Sequence, residues 1–111
     1  MGATAGYLHI GLTAALVMSA VETIQPGSFT TSEHLAITPE SVQNAASSFS
    51  EVNYFAFSCL TTVGFGDISP ALPLSRMLSV ATSIVGPLYI AAVMGILIGR
   101  YSNCLREEGK P

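Results

Sequence analysis

The segment TTVGFGD, from Thr61 to Asp67, decides how the whole chain is interpreted. It places two glycines, two hydroxyl groups and a carboxylate between strongly apolar stretches. Glycine adopts backbone angles that other residues avoid, although it is costly to order and packs nothing. If Gly64 and Gly66 alternate with Val63 and Phe65, successive carbonyls can face one way while the side chains pack the other way. The segment therefore predicts a backbone that presents oxygens.

The composition predicts a membrane protein of one small domain. Of the 111 residues, 50% are hydrophobic and only 10% are charged, whereas about a quarter are charged in soluble domains. Four basic residues are too few to bind the phosphates of a nucleic acid, so no nucleic-acid partner is expected. No nucleophile–base pair or metal-ligand spacing is evident, so an enzyme is not expected. Cys59 and Cys104 are predicted to be free thiols.

Two apolar stretches are long enough to cross a bilayer, which takes about 20 residues. Residues 4–25 predict a first spanning helix that ends at Pro26-Gly27. Residues 72–101 predict a second spanning helix, which is interrupted by Gly86-Pro87 and is expected to kink there.

Between the two spans, the pattern predicts a loop, a short helix and the glycine segment. Residues 26–48 are polar and indicate an exposed loop, which is the turret loop of the family described below. Residues 49–61 predict a helix capped by Ser48, too short to span a membrane and therefore either buried or re-entrant. Non-helical backbone at membrane depth, as at residues 62–67, is tolerated only inside protein or along a water-filled path.

The basic residues near the C-terminus predict the topology. Arg100, Arg106 and Lys110 follow the second span, whereas the loop between the spans has no lysine or arginine. The positive-inside rule then places the tail, residues 102–111, in the cytoplasm, and two spans place the N-terminus there as well. We expect an integral protein of the plasma membrane, with Tyr7 near the inner interface.

The sequence resembles the potassium-channel pore family, whose signature is Thr-Val-Gly-Tyr/Phe-Gly-Asp. Residues 62–67 match that hexapeptide, and the order of helices around it matches as well. The resemblance implies an all-α membrane fold with an outer helix, a re-entrant pore helix with a selectivity-filter strand, and an inner helix. It also implies a tetramer, in which three identical subunits complete the pore.

The resemblance assigns roles to the residues of the segment. It implies that K⁺ ions bind in a filter formed by Thr62, Val63, Gly64, Phe65 and Gly66, and that no other cofactor is needed. It implies that Thr61 ends the pore helix.

The sequence departs from the family at two supporting positions. Ser58 stands where several members have a glutamate, and Tyr54 stands where many have a tryptophan, so Asp67 is expected to depend on Tyr54 and water.

The gate is predicted from the inner helix. A family hinge falls on Gly86, which we expect to be separate from the filter, and a small residue at the inner crossing falls on Gly95. Pro87, Ile90, Met94 and Ile98 share one helical face, which is expected to line the pore. A gate in the filter itself is the competing hypothesis.

The function expected is a potassium-selective pore that works as a homotetramer in lipid. Two alternatives stay open: a less selective cation channel of the same architecture, and a membrane anchor or assembly subunit that conducts nothing. The gating stimulus is also open, and the sequence fits both a minimal channel and the pore of a longer protein.

Overall fold

The computed structural model describes residues 2–31 and 42–109, and this part of the chain is mostly helical. Its elements follow in the order α1 (Gly2–Ile24), β1 (Phe29–Thr31), α2 (Val42–Leu60), β2 (Ile68–Pro70) and α3 (Pro73–Glu108). The glycine segment joins α2 to β2 without regular secondary structure.

Within the described residues, α1 and α3 are the two helices that are long and apolar enough to cross a membrane. Only 22% of the apolar stretch of α1 and 11% of that of α3 is buried inside the subunit. The core helix of a soluble protein buries its apolar face, so the surfaces of these two helices need lipid or other subunits against them. The exposure agrees with the two predicted membrane spans.

The packed core lies where α1, α2 and the two strands meet. Its buried members are Ala15, Met18, Phe29, Val52, Phe55, Ala56, Cys59 and Ile68. The rings of Phe29 and Phe55 pack in a tilted arrangement with centroids 5.3 Å apart, a favourable geometry for aromatic pairs. Because α2 packs on both α1 and α3, the core sets the direction of its C-terminal end.

A short antiparallel ribbon ties the chain after the glycine segment to the chain after α1. Phe29 of β1 is paired with Pro70 of β2. The Glu22 carboxylate supports the turn before β1, because it accepts hydrogen bonds from the N–H groups of Gly27 at 2.9 Å and Phe29 at 3.1 Å. The all-α prediction missed this ribbon. Strands of three residues are too short to show the alternation of apolar and polar residues that indicates a strand.

Two helices extend beyond their predicted bounds. α2 begins at Val42, so residues 42–48, predicted as turret loop, are helical and the predicted cap at Ser48 is wrong. Those residues include no glycine or proline, so nothing in them interrupts a helix. For the same reason α3 continues to Glu108 instead of ending at residue 101. The rest of the predicted turret, residues 32–41, lies outside the described residues.

The buried face of α3 is narrow and carries hydroxyl groups. Ser75, Ser79, Thr82 and Gly86 are its buried residues. The hydroxyls of Ser79 and Thr82 each donate at 2.8 Å to a carbonyl one turn earlier, and the Ser75 hydroxyl donates at 2.8 Å to the Ser28 carbonyl. Because these groups are satisfied, a face of small residues can approach the other helices closely.

Candidate functional site

The backbone of the glycine segment turns back toward the end of α2. The N–H groups of Val63 and Gly64 both donate to the Ser58 carbonyl, at 3.1 and 3.4 Å. The described chain has no cis peptide bond, and in a planar trans peptide the carbonyl points opposite to the N–H of the next residue. The carbonyls of Thr62 and Val63 therefore point away from α2, toward the open side of the segment.

The handedness of the backbone alternates along the same segment. Thr62, Gly64 and Gly66 have φ angles of 58°, 53° and 81°, whereas Val63 and Phe65 have no positive φ. Alternation of left- and right-handed residues turns successive peptide groups toward the same side. Glycine accepts a positive φ freely, but for the β-branched Thr62 it is a strained conformation that costs about 1–3 kcal/mol.

Hydrogen bonds to the last turn of α2 hold the strained residue in place. The Thr62 N–H donates to the Cys59 carbonyl at 3.0 Å. The Thr61 hydroxyl donates to the Phe57 carbonyl at 2.8 Å, directly after α2 ends at Leu60. The carbonyls that a helix end leaves without partners are thus used to shape the segment that follows.

The outer end of the segment rests on Tyr54. The rings of Tyr54 and Phe65 are stacked, with centroids 6.1 Å apart and planes at 15°. Loss of hydration raises the pKa of Tyr54, and the hydrogen bond and charge of the Asp67 carboxylate raise it further. The structure therefore brings together Tyr54, Phe65 and Asp67. Ser58, which stands where several family members have a glutamate, supports the segment through its backbone carbonyl.

Gly86 lies against the end of α2, so α3 is in contact there with the helix that leads into the glycine segment. The residue is buried, and a Cβ placed on it would collide with the carbonyl oxygen of Leu60. Leu60 precedes Thr62 by two residues. Gly86 is therefore required for the close approach of α3 to α2, whether or not the helix also bends there.

The other predicted gate residues lie on exposed parts of α3. Ile90, Met94 and Ile98 are each about half exposed or more. Pro87 is also exposed and lies inside a continuous helix. A Cβ on Gly95 would meet nothing within the subunit. In one subunit these residues form no constriction, so their role as a gate stays a prediction.

The contacts of two tyrosines were not found from the sequence, and only one of the two, Tyr7, reaches the end of α2. The Tyr7 hydroxyl donates to the Leu60 carbonyl at 3.2 Å, so Tyr7 is not merely an interfacial ring. The Tyr89 hydroxyl donates to the Ala3 carbonyl at 2.9 Å, and the two tyrosine rings lie 6.0 Å apart. The available signal was a tyrosine within each apolar stretch, because a hydroxyl in apolar surroundings needs a partner.

Comparison with known proteins gives a consistent result. A family model described as an ion channel matches residues 7–103. Over 42 residues, which are 38% of this chain and 4% of the relative, the chain is 45% identical to the voltage-gated delayed rectifier potassium channel KCNH5 of Homo sapiens. Over 55 residues, which are 50% of this chain and 13% of the relative, it is 34% identical to a candidate potassium channel protein of Rhodopseudomonas palustris. The chain thus spans a small part of these relatives. No solved structure matches it.

The family match includes α2, the glycine segment and most of both long helices. Two apolar helices and a segment of outward-facing carbonyls are features that a pore-forming membrane protein needs. The chain is a membrane protein and belongs to the ion channel family.

Proposed function

We propose that the chain is the pore subunit of a potassium-selective channel, which conducts K⁺ passively as a homotetramer. The observation that carries the proposal is the backbone after α2, where the carbonyls of Thr62 and Val63 face away from the helix. The alternating handedness continues this pattern to Gly66. Four such segments around an axis would stack rings of carbonyl oxygens from Thr62 to Phe65, with the Thr62 hydroxyls at the inner end. Such rings replace the hydration shell of K⁺.

The exposure of the segment supports assembly with three identical subunits. One chain supplies only a quarter of each ring, so a monomer cannot enclose an ion. In the single subunit Val63 is 55% exposed and Phe65 is 68% exposed, and most of the apolar surface of α1 and α3 is uncovered. Cyclic assembly of identical chains would cover part of this surface and bring the four segments together.

The direction of α2 supports a cation as the transported species. Its C-terminal end, which carries partial negative charge, leads directly into the carbonyl segment. Four such ends would stabilise a cation in a wet cavity below the filter. We place the path from the cytoplasm along Ile90, Met94 and Ile98. Ions in adjacent sites would repel one another, so each ion could leave its site although it is bound tightly.

Potassium is favoured over other cations by two observations. The relatives named above are potassium channels by name. An acidic residue at position 65 would remodel the oxygen rings and favour a less selective channel, but this chain has Phe65 there. The basic residues after the second span favour a cytoplasmic location for both termini, and we propose that the membrane is the plasma membrane.

Ion flux in liposomes tests the proposal. The purified chain is reconstituted with a K⁺ gradient, and Na⁺ is supplied as competitor. We expect a flux that follows the K⁺ gradient and largely ignores Na⁺. Equal permeability to Na⁺ would favour the less selective cation channel. A correctly inserted tetramer without flux of either ion would favour the non-conducting anchor or assembly subunit.

A further inference from the structure

The carbonyl of Leu60, at the C-terminal end of α2, is contacted by both long helices. Tyr7 of α1 donates its hydroxyl to this oxygen at 3.2 Å. Gly86 of α3 packs so closely against the same oxygen that no Cβ fits between them. The Leu60 side chain itself is only 1% exposed. The last peptide of α2 is thus enclosed by parts of all three helices.

Tyr7 supplies a donor that the helix does not. In a continuing helix, the N–H of Gly64 would bond to the Leu60 carbonyl, four residues earlier. Here the Gly64 N–H donates to Ser58 instead, because the chain has turned into the irregular segment. A carbonyl left without a donor in apolar surroundings is destabilising. The Tyr7 hydroxyl removes that cost and fixes the orientation of the peptide between Leu60 and Thr61.

Tyr7 is in turn packed against α3. Its ring lies 6.0 Å from that of Tyr89, with 40° between the planes. The Tyr89 hydroxyl is bound to the Ala3 carbonyl at 2.9 Å and lies against Gly6. The position of the Tyr7 ring therefore depends on the packing of α1 on α3, but the Tyr89 hydroxyl itself does not reach α2.

We propose that Tyr7 is a positioning residue for the innermost ion site. By holding the Leu60 carbonyl, its hydroxyl sets the path of the backbone into Thr62, whose carbonyl and hydroxyl form that site. The inference rests on the proposed function, since it assigns Tyr7 to the ion-binding rings of a potassium channel. Without the hydroxyl, the last peptide of α2 can rotate toward cavity water, and the ring at Thr62 loses its spacing.

Tyr7→Phe and Tyr89→Phe are a matched pair that tests this role. Each removes one hydroxyl and keeps the ring, but only Tyr7 bonds to α2. Conductance of reconstituted channels is measured against the K⁺ concentration on the cytoplasmic side. For Tyr7→Phe, we expect the half-saturating K⁺ concentration to rise about fivefold, the effect of one hydrogen bond, while the maximal conductance changes less. Tyr89→Phe should match the wild type.

Several outcomes would overturn the inference. One is an unchanged half-saturation in Tyr7→Phe, and another is an equal shift in both variants, which would indicate loss of helix packing alone. If Tyr7→Phe does not assemble, 3-fluorotyrosine at position 7 keeps the shape and strengthens the donor. The half-saturating K⁺ concentration of this variant should then fall below the wild-type value. If it does not fall, the proposal is contradicted. If the wild type does not select K⁺, the proposed function and this inference are overturned together. If the wild type is selective but Tyr7→Phe has an unchanged half-saturating K⁺ concentration, the inference alone is overturned.

Discussion

The glycine segment and the lower half of α3 are built in opposite ways. Thr61–Asp67 is shaped inside one subunit, by backbone hydrogen bonds to the end of α2 and by alternating handedness. Residues 90–98 are an ordinary helix with exposed side chains, and they form no constriction within the subunit. The comparison teaches that one chain already carries the conformation of the proposed filter, whereas a gate in α3 would exist only after the proposed assembly.

The largest effect is expected at Gly64. Its φ of 53° is a conformation that costs an L-residue about 1–2 kcal/mol, and a tetramer would incur that cost four times. Space is not the obstacle, because a Cβ there would meet nothing within the subunit. Gly64→Ala should therefore abolish K⁺ flux in liposomes by forcing the carbonyl ring out of shape.

Gly27→Ala is the matched control for this prediction. Gly27 also has a positive φ, of 88°, and its Cβ would also meet nothing within 4 Å. It lies in the turn after α1, far along the chain from the filter. The variant should lose some stability and keep selective flux. Retained flux in Gly64→Ala would show that the local backbone does not define the filter.

The next largest effect is expected at Gly86, where α3 meets the end of α2. An added Cβ would push α3 away from the Leu60 carbonyl, and overpacking of this kind costs about 1–3 kcal/mol. Gly86→Ala should lower both tetramer stability and K⁺/Na⁺ selectivity, measured by thermal melting and reversal potentials. Gly99→Ala on the same helix is the control, since its Cβ would meet nothing within the subunit. A pure hinge role predicts instead that Gly86→Ala lowers the open fraction with selectivity unchanged.

A smaller, state-dependent effect is expected at Ile90. In a background with Cys59 and Cys104 replaced, Ile90→Cys is treated with a bulky thiol reagent from the cytoplasmic side. If the helices close below this position, the reagent should react faster in open channels than in closed ones. Equal rates in both states would place the gate in the filter.

The smallest effect is expected at Tyr54. Tyr54→Phe keeps the ring that stacks on Phe65 and removes the hydroxyl that faces Asp67, so K⁺ conductance should change by about twofold at most. The pKa of Tyr54 is raised above 10.0, so the protonated hydroxyl persists at neutral pH and its contact is lost only as the pH rises through the raised value. Wild type and variant should therefore show the same pH dependence of conductance between about pH 6 and about pH 9. A difference between them in that range would contradict this assignment of Tyr54.

The sequence predicted the order of the helices, because length and hydropathy determine it, but it did not predict the two short strands. The spans, the short helix and the glycine segment all leave local patterns. The contacts of Tyr7 and Gly86 with Leu60 were missed, because they join residues distant in the chain and depend on helix packing. The start of α2 was missed since residues 42–48 are polar enough to suggest a loop but contain no helix breaker. The face of α3 that would line a pore is not determined by one chain, because in the proposed tetramer the other subunits would define it.

The central claim, that four segments combine into rings of carbonyl oxygens, is tested most directly by locating the ions. Crystals of the tetramer grown with Tl⁺, an anomalously scattering substitute for K⁺, would show where ions bind. The account predicts a row of ions on the fourfold axis, each contacted by oxygens of successive residues from Thr62 to Phe65. Carbonyls of Thr62 and Val63 that face α2, or the absence of axial ions beside a well-ordered segment, would contradict it.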